Sequence, residues 1–308
     1  MLHFRDITFH DKTWIQTALS QSGFMGCEYS FANNLAWHRA ANSRIAQLEG
    51  FYLIAAFDTP DGVPCFSFPA GKGDYQKLLA AMAEFAAQQH FPLVISGITT
   101  QSRPLLEQAA PPDCFTWQDD RDGWDYIYHT QDIIHYPGKK FHQKRNHVNR
   151  FAAYHGEFSE ITEQDFDECI AFAAKSYNEK DGYTERSSVV EQYAIHTYFS
   201  HFRELGLSGG LIRINGQLAA FSIGEPLNQE TFCVHIEKAD TRFHGAFPAI
   251  AQQFAAHFAA AYPYLNREED LGIQGLRKSK LSYHPAFLLE KQTAVCAEPK
   301  KLLEGVSL

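Results

Sequence analysis

Apolar and polar positions along this chain fall into short runs with two periods, one of about two residues and one of about 3.6. Leu2 to Thr8 alternates weakly and reads as a first strand. Asp11 stands where a helix N-cap would, ahead of Trp14, Ile15 and Leu19 on one side. Helical spacing predicts a second helix over Asn33 to Leu48. Phe51 to Phe57 is a strongly apolar run. The turn residues Thr59-Pro60-Asp61-Gly62 separate it from Val63 to Phe68, its hairpin partner. Gly71 to Asp74 break the chain and cap a helix reaching about Gln89, whose Leu78, Leu79, Met82 and Phe85 recur at the spacing of one buried face. Leu93 to Ile98 reads as a buried strand, followed by a short helix and Pro111-Pro112. Strands near Phe115 and Tyr126 flank an acidic loop from Asp119 to Asp125.

The second half is patterned more sharply. Gly156 to Ile161 reads as a strand, and Thr162 caps a helix through Tyr177 with Glu163 and Asp165 in its first turn, where the helix dipole favours acids. Ser187 or Ser188 opens a helix ending near Gly206. Leu211 to Ile214 and Leu218 to Ile223 form a hairpin around Asn215-Gly216, the strongest short hairpin signal. Thr231 to Glu237 is the next strand. Pro248 suits the first turn of a helix through Ala261, with Ile250, Phe254 and Phe258 on its buried face. Tyr264 to Asn266 is extended, Gln274 to Leu281 a short helix, and Ala286 to Val295 a final strand. This order resembles the GNAT acyltransferase fold, and the first half runs through nearly the same order. The expected architecture is α+β (mixed α/β), with two tandem GNAT-like domains, each a mixed, mostly antiparallel sheet flanked by helices. The boundary is placed just before the basic segment Tyr136 to Arg150, giving domains 1–130 and 131–308.

With 308 residues, 45% of them hydrophobic, the chain is long enough to bury two cores without disulfide or metal staples. Its net charge of −9 excludes a global positive field for nucleic acid or anionic membrane. The segment from Tyr136 to Arg150 runs against that balance, with five Lys or Arg and no acid. The six cysteines are widely spaced with no CxxC pair, and the histidines show no HExxH or HxH cluster, so no metal site is expected. The N-terminus has no signal-peptide pattern and no apolar run approaches a membrane span, so a cytoplasmic location is expected. There is no Walker A loop, which removes the nucleotide-triphosphatase reading.

Three stretches carry candidate chemistry. Glu237 to Phe247 joins a strand to a helix start. There Arg242-x-x-Gly245 matches part of the loop whose amides hold coenzyme A pyrophosphate in GNAT enzymes, while the bulky Phe247 takes the last small position. The second stretch, Asn266 to Pro285, contains Arg267, Arg277 and Lys280 to neutralise a donor's phosphates or carbonyl, with Asn266 and Asp270 among them. Glu237 and Glu268 are candidate bases for an incoming amine or hydroxyl, and Tyr283 a candidate acid for the leaving group. The third is the basic segment, where Lys144 and Arg145 are candidates to meet tRNA or coenzyme A phosphates. A plain internal salt-bridge network is the structural alternative for the second stretch.

The Asn266 to Tyr283 block, the basic segment from Lys139 to Arg150 and the stretch His235 to Asp240 together resemble the C-terminal domain of phosphatidylglycerol lysyltransferases and their soluble relatives. The resemblance covers most of the chain. It implies the tandem GNAT fold and, for characterised members, transfer of an aminoacyl group from tRNA to a lipid hydroxyl. Three functions follow as expectations. The first is an aminoacyl-tRNA-dependent transferase whose acceptor, a small molecule, peptide or lipid, is left open. The second is an acyl-CoA-dependent N-acyltransferase, and the third a non-enzymatic binding module. No permanently bound cofactor is expected. The site is expected in the second half, in a cleft between the Glu237 strand and the Asn266 to Tyr283 segment.

Overall fold

A computed structural model of the chain describes residues 2–175 and 185–303. It divides into two compact units, Met1–Trp124 with Leu289–Leu308, and Asp125–Leu288. The expected boundary at residue 130 is thus replaced by one at Asp125, and the chain's last stretch returns to the first unit.

In chain order the first unit contains β1 (Arg5–Asp6), α1 (Lys12–Ser22), α2 (Phe31–Trp37), β2 (Ser43–Leu48), β3 (Phe51–Ala56), β4 (Cys65–Ser67), β5 (Ala70–Gly71), α3 (Tyr75–Gln88), β6 (Leu93–Ile98), α4 (Arg103–Ala109) and β7 (Thr116–Asp119). The second contains β8 (Asp125–His129), α5 (Thr130–His135), α6 (His142–Ala152), β9 (Glu157–Glu160), α7 (Phe166–Lys175), α8 (Glu185–Ser200), α9 (Phe202–Leu205), β10 (Ser208–Ile214), β11 (Gln217–Pro226), β12 (Thr231–Ala239), α10 (Ala246–Phe254), β13 (Tyr264–Asn266), α11 (Gln274–Leu281) and β14 (Phe287–Leu289). The chain then re-enters the first unit as β15 (Gln292–Cys296). Each unit is built on one mixed sheet, ordered β1-β2-β3-β4-β6-β15-β7 in the first, with β5 beside β3, and β14-β8-β13-β12-β11-β10-β9 in the second. Pairing is mostly antiparallel; β4 with β6 and β12 with β13 are parallel.

Three expectations are corrected. The helix predicted over Asn33 to Leu48 stops at Trp37, and Ser43–Leu48 is a strand paired with β3. The left-handed Glu49 and Gly50, at φ 44° and 89°, make the tight turn that this pairing needs. The predicted strand near Tyr126 is β8, which pairs with β13 of the second sheet. The predicted strand from Ala286 to Val295 is two strands in two sheets: β14 joins the second, while β15 inserts between β6 and β7. This insertion joins β6 to β7 in the first sheet, which is why the last stretch belongs there. The predicted helix end at Tyr177 lies outside the described residues.

Other expectations hold closely. Asp74 accepts hydrogen bonds from the amides of Gln76 and Lys77 and so caps α3. Asn215 and Gly216 turn at φ 50° and 78° between β10 and β11. Helix α10 lays Ala249, Ile250 and Phe254 into the core and continues through one π-helical turn, Ala255–Ala259. No helix among the described residues is long and apolar enough to cross a membrane.

Candidate functional site

The site grows from the place where two parallel strands part. Strands β12 and β13 pair over three positions, ending at Cys233 opposite Asn266. Beyond that point β12 carries a bulge: Ile236 pairs with Ile223 and Val234 with Gly224, so His235 is the extra residue. Simple alternation puts residues 233, 235 and 237 on one face. The bulge instead leaves Cys233 and His235 on the α8 side, where the imidazole stacks on Tyr198 at 5.5 Å. Glu237 turns to the α10 side. The two residues after β13 divide in the same way, Arg267 reaching Glu237 and Glu268 reaching His235.

On the α10 side, Arg267 Nη2 donates to Glu237 Oε1 at 2.7 Å, with side chains only 10% and 11% exposed. Its guanidinium lies 4.5 Å from the Tyr283 ring centre, and Nη1 is buried with no hydrogen-bond partner among the described residues. Burial disfavours charge on Arg267, but Glu237 together with Tyr283, Tyr128 and Tyr136 outweighs it and keeps the group protonated. Lys144 of α6 places Nζ 3.3 Å from the Tyr283 ring centre and donates to Ser282 Oγ at 2.7 Å. Burial, aided by Arg267, pushes this amine down to about 8. Burial raises the Tyr283 phenol well above its ordinary value, with Arg267 drawing it partly back. Tyr128 and Tyr136 complete the aromatic wall and are pinned through their hydroxyls to the carbonyls of Lys280 and Pro248.

Most of the remaining predicted residues build the frame. Asn266 is fully buried, donating to Asp125 at 2.9 Å and accepting from the Glu268 amide at 2.7 Å. Lys280 donates to the carbonyls of Arg267, at 2.6 Å, and Glu269, and burial lowers its pKa. Asp270 receives a bidentate pair from Arg277 at 2.8 and 2.7 Å, the Tyr126 hydroxyl at 2.5 Å and the Gly272 amide at 2.9 Å. Burial raises the Asp270 carboxyl, but these hydrogen bonds outweigh it and hold the group well below the carboxylate range. For Asp270, Arg277 and Lys280 the internal network alternative describes the geometry. Arg145 is similarly occupied, donating to the carbonyls of Tyr136 and, at 2.6 Å, Gly138.

Arg242 and Gly245 sit apart from this cluster at the start of α10. Arg242 is 79% exposed and paired with Asp240 two residues before it. Gly245 caps α10 at φ 95°, and a Cβ there would lie 2.1 Å from the His147 carbonyl oxygen of α6. This glycine therefore serves close approach of helix to helix. Of the first three residues of α10, Ala246 donates its amide to the Phe243 carbonyl and Pro248 has no N–H, which leaves this helix start poor in amides for a phosphate.

Two mixed, mostly antiparallel sheets flanked by helices, the second with β12 and β13 parting, match the expected two tandem GNAT-like halves. The chain belongs to the family of phosphatidylglycerol lysyltransferase C-terminal domains, whose model matches residues 20–295. Among solved structures, a conserved protein of unknown function from Bacteroides thetaiotaomicron is 36% identical over 96% of this chain and 100% of its own, with a TM-score of 0.87. The C-terminal domain of a putative lysylphosphatidylglycerol synthetase from Agrobacterium fabrum is 13% identical, with a TM-score of 0.64 over 95% of this chain and 94% of its own. The structure of L-PGS from Bacillus licheniformis is 14% identical, with a TM-score of 0.60 over 87% and 90%. No curated protein matches the chain. Family and fold support an acyltransferase-like function.

The sequence reading missed Tyr128 and Tyr136 as walls of the site, and His235 as the partner of Glu268, with Glu225 on the other ring nitrogen. The aromatic positions look like ordinary core. The histidine's role depends on a bulge that alternation alone does not announce.

Proposed function

We propose that the second unit transfers an aminoacyl group from an aminoacyl-tRNA to an amine or hydroxyl of an acceptor whose identity the site leaves open. The observation that carries this reading is the cluster of Lys144, Arg267, Glu237 and Tyr283, in which a buried guanidinium nitrogen awaits an acceptor oxygen. An ester carbonyl placed against Arg267 and Lys144 has its developing oxyanion neutralised. Glu237 takes the proton of the attacking amine or hydroxyl as its bond to the carbonyl carbon forms. Tyr283 gives its proton to the ribose oxygen as the ester C–O bond breaks, and proton return from Glu237 through solvent resets the pair. Glu268 lies on the other side of the strand and supports the frame.

Two further features favour tRNA over coenzyme A as donor. The start of α10 offers few amides to a pyrophosphate, and Gly245 there is packed against α6. Helix α6 carries Lys144, with Lys139, Lys140 and Arg150 exposed near it, a local basic surface for phosphates on an acidic protein.

The test is thermal unfolding with charged tRNA, coenzyme A and acetyl-CoA at low and moderate salt, since a ligand of the folded state raises the midpoint. A rise with charged tRNA that fades with salt, accompanied by loss of label from the tRNA ester into an acceptor pool, supports the reading. A rise with coenzyme A alone replaces it with an acyl-CoA-dependent N-acyltransferase. No rise with either, at saturating concentrations, leaves a binding module.

A further inference from the structure

On the α8 side of β12, three donors of the kind that bind transition metals converge. Cys233 Sγ lies 3.7 Å from His235 Nδ1 and 3.9 Å from Glu268 Oε1, and Nδ1 and Oε1 are 2.8 Å apart. These three atoms all fall within 4.8 Å of one another. Tetrahedral zinc, with bonds of about 2.0–2.3 Å to nitrogen, oxygen and sulfur, sets its ligand atoms about 3.3–3.6 Å apart. The triangle needs only its shortest edge to open by about half an ångström to match.

The surroundings supply a second, independent feature. His235 Nε2 faces Glu225 Oε1 at 3.2 Å, so a carboxylate sits behind the imidazole. Metal-bound histidines are held in just this manner, which fixes the tautomer and frees the other nitrogen for the ion. The imidazole is further fixed by its stack on Tyr198. Cys233 and the His235 side chain are fully buried, while the Glu268 side chain is 16% exposed and marks the way in. Glu268 holds a left-handed backbone, φ 58°, which lets its carboxylate face β12 while Arg267 faces the opposite side.

We propose that Cys233, His235 and Glu268 form a binding site for a divalent transition metal ion, with Glu225 orienting the imidazole. The mixed sulfur, nitrogen and oxygen set suits zinc, and three protein ligands leave a fourth position for water. The spacing escapes the usual sequence patterns because the ligands are a Cys-x-His pair on one strand and a glutamate beyond the next. On binding, the ion displaces two protons, one from the Cys233 thiol and one shared between His235 and Glu268. It ties β12 to the residues after β13 where their pairing stops, independently of which donor the opposite face uses.

Cobalt(II) titration of the chelator-treated full chain tests this. The expected result is uptake of one cobalt per chain, thiolate-to-cobalt charge-transfer absorption in the near ultraviolet, displacement by zinc, and a raised unfolding midpoint. Cys233→Ser abolishes the charge-transfer band, whereas Cys169→Ser, at the buried thiol of α7, leaves it intact. Glu225→Gln keeps all three ligands and weakens cobalt binding about 10–100-fold, a readout that survives if Cys233→Ser does not fold. Absence of the band in folded wild-type protein, or its persistence in Cys233→Ser, overturns the site. Unchanged affinity in Glu225→Gln overturns the orienting role.

Discussion

Lys144 holds its ammonium against the ring of Tyr283 and beside Arg267, largely away from water, and its pKa falls to about 8. Its charge is therefore present at neutral pH and lost just above it. If that charge holds the substrate's anionic oxygen, kcat/KM falls as pH rises through about 8. Lys144→Arg, which stays protonated, removes that limb from the pH profile. The stability effect has the opposite sign. Because the folded-state pKa is lowered, the charged amine costs stability below pH 8, and the cost is relieved as pH climbs toward the unfolded value of about 10.4. Arg267 gives a second prediction at this scale. Arg267→Ala strands the carboxylate of Glu237 and is expected to cost about 3–5 kcal/mol in urea unfolding. The pair Arg267→Met with Glu237→Met recovers most of that stability while transfer activity stays absent. Recovery of activity as well would remove both residues from the chemistry.

The segment from Asn266 to Tyr283 works as one element, although it contains only a short strand end and α11. Its inner anchor is Asp270, bound by Arg277, Tyr126 and the Gly272 amide, and its outer anchor is Lys280 on two carbonyls. Asp270→Asn is expected to cost about 2–4 kcal/mol by weakening a buried charge-assisted network. The depressed Asp270 pKa contributes stability that is full above the unfolded value of about 4 and drains away as pH falls below it. The Asn variant therefore shows a shallower acid limb in a plot of unfolding free energy against pH. Element by element, the sequence was readable where local chemistry decides. Asp74 announces α3, Asn215-Gly216 announces the β10–β11 hairpin, and the Asn266 block announces a dense polar network. It was misleading where pairing decides. Ser43–Leu48 continues a helical pattern from α2 yet pairs with β3, and β12 alternates in sequence yet changes face at His235. Of the predicted site, Glu237, Arg267, Tyr283 and Lys144 converge, because each lies near an element end that the parting of β12 and β13 exposes. Arg242 and Arg145 do not, because nearer partners take their charges.

At the scale of the whole molecule, the division into units does not follow a single cut in the chain. Strand β15 pairs with both β6 and β7, so the first sheet has a strand inside it drawn from the far end of the sequence. Removing residues 289–308 would leave the backbone groups of β6 and β7 facing each other's absence, two exposed edges that invite pairing with other chains. The expected outcome is aggregation or loss of cooperative unfolding in the first unit, read by size-exclusion chromatography and circular dichroism. A monomeric truncation with an unchanged unfolding transition would show that β15 contributes little.

The same threading has a consequence during synthesis. Residues 125–288 leave the ribosome as one continuous stretch and can fold while translation proceeds. The half made first must meanwhile wait for β15, a strand that follows the whole of residues 125–288. The nascent chain therefore carries an unfinished sheet until the second unit has been made, and the half that carries the candidate site matures before the half that precedes it.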